Sequence, residues 1–188
     1  MLLSQHKDLK REIISLPEKD KDKLLLRLIA KDKVLTEHLH FKLLENEDDL
    51  LSRHENLVEL IDQQVKEMLD GRRCTSRDVL LKMRTLNGAI NHHAKVTKDV
   101  GSEIELRFYL LNKIPVDFDD GIFRVVYVYN EKLYLYYVKA TVSVWKKYNK
   151  LHEDIQFDLK ESFNTILEKI YTNSTASIAR ALGLPKEL

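Results

Sequence analysis

The sequence predicts an all-α protein, a multi-helix bundle or a short HEAT-like superhelix of about seven to nine helices. Three observations carry that reading. Apolar residues recur at three- and four-residue spacing along most of the chain, the period of a helix with one buried face. Only five glycines and three prolines interrupt 188 residues, and charged residues make up 32%, a composition that disfavours loop-rich β architecture and disorder. Two long helical patterns of opposite charge also meet at Gly71. Residues 45–70 carry nine acids against Arg53 and Lys66, a net −7, and residues 72–98 carry seven bases against Asp78 alone, a net +6. A short link makes two helices antiparallel neighbours, so the two charged rods are expected to neutralise each other and leave little of either for a ligand.

In chain order, Leu2, Leu9 and Ile13 form the stripe of a first helix, with His6 on it. In Ser15-Leu16-Pro17-Glu18 the spacing makes Ser15 the N-cap of a second helix, with Glu18 completing a capping box and Pro17 in the first turn, where no amide partner is lost. That helix buries Leu24, Leu25, Leu28 and Ile29. Asp32 is the expected cap of a third, carrying Val34, Leu35, Leu39 and Leu43. Such short, tightly linked helices are similar to the helix pairs of HEAT-like arrays, although they are fewer than the three units a solenoid needs.

The acidic rod presents Leu57, Val58, Ile61, Val65 and Met68, and Gly71 is the expected left-handed residue past its end. The basic rod opens on Thr75-Ser76-Arg77-Asp78, a capping-box spacing, and presents Val79, Met83, Leu86, Ile90 and Ala94. Each rod spans about 35 Å at 1.5 Å per residue, which suggests the spine of the domain. A further capping box is expected at Ser102–Glu105, after Gly101, opening a helix with Ile104, Phe108 and Leu111 that Pro115 stops. Residues 115–121 form the candidate hinge. Residues 122–145 hold enough β-branched and aromatic residues to pair as a hairpin. The helical recurrence of Leu133, Tyr137, Ala140, Val144 and Tyr148, and the lack of a third strand, favour a helix. The chain closes with a helix over 158–171 and, after a polar break, a short helix ended by Gly183 and Pro185. The expected organisation is a single helical domain over 1–172 with a short C-terminal helix or tail over 173–188.

The net charge of +1 gives no global electrostatic attraction for nucleic acid or anionic membrane. No stretch approaches the roughly 20 apolar residues of a membrane span, and the first residues lack the apolar run of a secretory signal. One cysteine, Cys74, excludes an intrachain disulfide and suits a reducing compartment. A cytoplasmic location is expected. A surplus of apolar positions allows a homodimer.

The sharpest chemical motif lies on the acidic rod. Glu59-Leu60-Ile61-Asp62 and Glu67-Met68-Leu69-Asp70 are both E-x-x-D, which puts two carboxylates on one helical face where they can share a hard cation such as Mg²⁺. Glu59 and Asp62 are the candidate ligands. An acid-rich helix also contains this spacing by chance, and a solvated or salt-bridged face is the plainer reading. On the basic rod, Arg84, Asn87, Asn91, Lys95 and Lys98 make a continuous polar stripe, with Gly88 lacking a side chain beside Asn87. That stripe is either an anion or nucleotide pocket, with Arg84, Asn87, Asn91 and Lys95 as binding residues, or a polar flank with Gly88 accommodating close helix packing. Cys74, after two arginines and before a helix N-terminus, is placed to have a lowered thiol pKa, but no base is in view. The seven histidines make no metal spacing. Tyrosines and lysines interleaved over 132–150 are read as core plus solvated lysines before a base-stacking surface. No Gly-rich phosphate loop or nucleophile elbow is present.

Through its E-x-x-D motifs the chain resembles the all-α dUTP hydrolase group, in which such motifs hold metal on facing helices; here both fall on one helix. Through the leucine-rich segment Lys23–Glu45 it resembles uncharacterised all-helical bacterial proteins, some of them automatically labelled dUTP nucleotidohydrolase. The resemblance implies a helical fold and, under the metal-dependent phosphohydrolase reading, Mg²⁺ at Glu59 and Asp62. The leading expectation is a cofactor-free helical interaction or scaffold protein that holds a protein partner in a groove or on a helical face. A nucleic-acid-binding helical protein is the third reading.

Overall fold

The structure, a computed structural model, describes residues 3–70, 74–118 and 124–188, with side chains from residue 128 onward in the last stretch. The expected helix end at Gly71 and residues 119–121 of the expected hinge fall outside the described residues. Among the described residues there are nine α-helices and no strand: α1 (Lys7–Ser15), α2 (Glu18–Ile29), α3 (Lys33–Leu44), α4 (Glu47–Asp70), α5 (Ser76–Thr97), α6 (Val100–Lys113), α7 (Arg124–Tyr148), α8 (Glu153–Thr172) and α9 (Ala176–Ala181). This is the all-α architecture the sequence predicts. None of these helices is long and apolar enough to cross a membrane. Contacts group the chain into two compact units, Met1–Glu45 and Asn46–Leu188.

In the first unit, α2 and α3 touch across a tight turn. The Asp32 carboxylate accepts the Leu35 amide at 3.1 Å, the expected cap. The Thr36 hydroxyl donates to the Ile29 carbonyl at 3.0 Å, fastening α3 to the end of α2. Ser15 departs from expectation. It is the last residue of α1, and its hydroxyl turns back to the Glu12 carbonyl at 2.8 Å, the local bond serine makes in competition with capping. Pro17 takes the N-cap position of α2 instead. His6 precedes α1 rather than sitting on its stripe. No residue from 3 to 45 is buried.

The second unit packs around α6, which meets α4, α5, α7 and α8. Six of its fourteen residues are buried: Glu103, Ile104, Leu106, Phe108, Leu110 and Leu111. Phe108 stacks on Phe163 of α8 at 5.0 Å between ring centroids, and Tyr148 of α7 closes the cluster 5.9 and 5.6 Å away. The basic rod is central, burying ten of the 22 residues of α5, whereas the acidic rod is not. Helix α4 buries only Ile61, Val65 and Met68 of its 24 residues, and the shorter α6 shares the centre of the bundle with α5.

Local chemistry explains the ends of the helices. Thr75 and Asp78 form the expected reciprocal capping box at α5. That helix ends on Lys98 at φ 60, a left-handed cap that glycine occupies without steric cost. Helix α6 starts three residues before the expected position, because the Asp99 carboxylate accepts the Ser102 amide at 3.1 Å and draws Gly101 and Ser102 into the first turn. At its far end the Lys169 ammonium, from α8, donates to the carbonyls of Leu111, Asn112 and Ile114. Burial pushes this amine down to about 8, against the preference of three carbonyl acceptors and a helix C-terminus for a cation. Residues 124–148 are one continuous helix, as the helical recurrence predicts. After α9, Gly183 at φ 70 allows the Gly183 amide to reach the Arg180 carbonyl and the Leu184 amide the Ala179 carbonyl, a Schellman end. Leu184 is then buried, its carbonyl accepts from the Tyr171 hydroxyl, and the Leu188 amide donates to Asn164 at 3.0 Å. Residues 173–188 are thereby fastened into the second unit.

Candidate functional site

The polar stripe of α5 meets α6 and α7 through one buried carboxylate. The Glu103 side chain is 6% exposed and accepts from Arg107 on its own helix and from Lys147 of α7. Burial pushes the Glu103 carboxyl up, but the hydrogen bonds and charges of Lys147 and Arg107 outweigh it, and the group sits below its ordinary value. Arg107 also donates to Asn87 at 3.0 Å and to Asn91 at 2.5 Å. Asn87 lies 3.4 Å from the Tyr136 hydroxyl, and Arg84 lies 5.3 Å over the Tyr136 ring.

The structure thus brings three of the four predicted binding residues, Arg84, Asn87 and Asn91, to one network, while Lys95 is exposed farther along α5. Sequence reasoning missed Glu103, Arg107 and Lys147, which organise it. The four-residue spacing of Glu103 and Arg107 was the available signal. Their hydrogen-bonding groups are committed to one another, so an external anion would have to displace Asn87 or Asn91 from Arg107. The arrangement acts chemically as a clamp that fixes α5, α6 and α7 in register. An alanine Cβ at Gly88 would meet nothing within 4 Å, which corrects the expectation of close helix packing there.

The acidic motifs separate. Both oxygens of Asp62 accept from the Tyr109 hydroxyl at 2.7 Å, and Lys113 lies 3.2 Å away. The Tyr109 hydrogen bond, opposed by desolvation and reinforced by Lys113, holds the Asp62 carboxyl below its usual value. Glu59 is exposed. In the second motif Glu67 accepts from Lys82 of α5 at 2.7 Å, and Asp70 is exposed. The expected neutralisation between the rods is therefore present at Glu67–Lys82, while Asp62 turns to α6. No group of three metal-binding side chains gathers among the described residues.

Cys74 also departs from expectation. Burial, joined by the charge of Asp78, raises its thiol pKa, because the acid that caps α5 also faces the sulfur. The two arginines before it lie outside the described residues. In α7, Tyr134, Tyr137 and Tyr148 are buried and Lys132, Lys139, Lys146 and Lys150 are exposed. These tyrosines fill the core and do not offer open faces for stacking.

The first unit exposes its apolar side chains without a core of its own. Ile14 is 63% exposed, Leu26 66%, Leu43 72% and Leu44 74%, and Leu3, Leu9, Leu25, Leu28 and Leu35 are all more than a third exposed. In α3, Val34, Leu35, Leu39, Phe41, Leu43 and Leu44 point in all directions around the axis. A helix apolar on every side is ordinarily a core helix, yet nothing in this one is buried. Comparisons with protein-family models, with curated proteins and with solved structures give no match to the chain.

Proposed function

We propose that the chain is a helical interaction protein that holds a protein partner on the leucine-rich faces of α2 and α3, with 46–188 as its self-contained body. One observation carries this reading: residues 3–45 bury nothing while nine large apolar side chains stand open. Apolar side chains left open in that number, with no core beneath them, support a surface that a partner covers. A helical unit of this length also cannot supply its own stability without a core, a metal or association. The second unit also exposes apolar side chains, Leu69 and Phe157 among them, but it has a buried core of its own. Its polar cluster is internally satisfied, and Phe108, Tyr137, Tyr148 and Phe163 serve the core, with Phe157 left exposed.

The test is a photo-crosslinking residue placed at Leu28 of the full chain and activated in living cells. A covalent adduct to protein is expected from Leu28, and none from the same group placed at Lys139, on the exposed side of α7. Absence of any protein adduct at Leu28 would sink the interaction reading.

A further inference from the structure

We propose that the junction of α4, α5 and α6 is an acid-sensitive latch, in which a proton taken up by His93 releases the first half of α4, residues 47–60, from the bundle. The latch lies wholly within the second unit and does not depend on the surface of α2 and α3.

His93 of α5 is 5% exposed, and its Nε2 lies 3.1 Å from the Ser102 hydroxyl in the first turn of α6. A hydroxyl can donate or accept, so this contact serves a neutral imidazole as well as a charged one. The charged and titratable groups that act on His93 are His54 and Arg53 of α4, Asp99 at the start of α6 and Glu103 within it. Both carboxylates are already engaged. Asp99 accepts the Ser102 amide at 3.1 Å, and Glu103 accepts from Arg107 and from Lys147 of α7. Among the described residues the His54 Nε2 is buried without a hydrogen-bond partner, and the Glu105 carboxylate, 3.7 Å away, is beyond bonding range. Burial, reinforced by His54 and Arg53 and only partly offset by Asp99 and Glu103, holds the His93 imidazole below its ordinary value of 6.5.

The first half of α4 is the weak side of this junction. No residue from 47 to 60 is buried, and Leu57 and Val58 cover the core only in part, whereas Ile61, Val65 and Met68 anchor the second half. A segment with few buried contacts opens at a fraction of the cost of global unfolding. Opening admits water to His93 and restores its ordinary proton affinity, so the open form accepts a proton that the closed form resists. The sign follows. A histidine held below its ordinary value stabilises the closed form above about pH 6.5, and that contribution is lost as pH falls towards the folded value. Carboxylates ordinarily titrate near pH 4, so the window between about pH 6.5 and 5 belongs to histidine.

The experiment is amide hydrogen exchange of the purified full chain, corrected for the intrinsic pH dependence of exchange. Below about pH 6.5 the opening of residues 51–60 should rise by up to about tenfold per pH unit, while the amides of α6 and α8 keep their protection. The rise should level off at the pH where the His93 ring itself titrates, followed through its side-chain nitrogen shifts. His93→Gln keeps a polar partner for Ser102 and cannot take up the proton. In that chain the opening of 51–60 should not change between about pH 6.5 and 5.

Exchange at 51–60 that stays flat through this window overturns the latch. So does a simultaneous loss of protection in α4, α6 and α8, which is global unfolding rather than release of one segment. A His93→Gln chain that opens with the parent's pH dependence assigns the proton to another group and overturns the role of His93. If that variant does not fold, the parent's own ring decides: a His93 ring that titrates at 6.5 or above, or an exchange rise that does not level off where the ring titrates, overturns the proposal.

Discussion

Helices α3 and α6 are similar in length and both rich in large apolar residues, yet they differ completely in burial. Helix α6 has four neighbours and hides Ile104, Leu106, Phe108, Leu110 and Leu111. Helix α3 touches α2 and buries none of Val34, Leu35, Leu39, Phe41, Leu43 or Leu44. Composition states how much cover a helix needs, and topology decides whether the chain supplies it.

The largest effect should come from truncating matched apolar residues in the two helices. Phe108→Ala removes the centre of the aromatic cluster and should destabilise the bundle by about 3–5 kcal/mol. Leu43→Ala, at a side chain 72% exposed, should change the same unfolding transition of the dilute protein by less than ~0.5 kcal/mol. Both are read from denaturant midpoints, and equal losses would erase the contrast between the helices.

Next is the clamp that holds α6 to its neighbours. Glu103→Gln leaves Lys147 and Arg107 without their buried counter-charge and should cost about 3 kcal/mol. The pH dependence follows in sign. The folded Glu103 carboxyl lies below its ordinary value of 4.5, so its contribution is present above that pH and is lost as pH falls through the folded value. Asp62 and Asp78 are lowered too and act in the same direction. The Glu103→Gln protein should therefore lose stability less steeply than the parent between pH 5 and 3. A parallel decline would remove Glu103 from the network.

The smallest effect sharpens the picture at the junction of α5 and α6. Lys98 holds a left-handed conformation, which strains a side-chain-bearing residue by roughly 1–2 kcal/mol. Lys98→Gly relieves that strain and loosens the unfolded chain. The expected net gain is about 0.5–1 kcal/mol, visible as a higher unfolding midpoint.

Much of the fold was legible where a local rule decides the structure. The Thr75–Asp78 and Asp32 caps, the helix through Leu133–Tyr148 and the end at Gly183 each follow from neighbours a few residues apart. Where two cap candidates compete, the sequence spacing was a poor guide. Asp99 precedes Ser102 by three residues and captures its amide, and Ser15 satisfies itself on Glu12. The centrality of α6 was not legible, because a central helix and a half-exposed one share the same periodicity and only contacts from distant helices separate them. The candidate site was half visible. Asn87 and Asn91 fall at helical spacing, but the meeting of Glu103 with Lys147 joins residues far apart in the chain. Nothing in composition marks the boundary after Glu45, since α2 and α3 read as ordinary core helices until their neighbours are counted.

The ammonium of Lys169 finishes the last turn of α6 from a helix that follows much later in the chain. A central helix of the bundle is thus completed by a residue synthesised after most of its packing partners. A fragment that stops before α8 would leave those three carbonyls open and Phe108 without Phe163. Such a fragment should melt well below the full chain, since its central helix would lack both a cap and an aromatic partner.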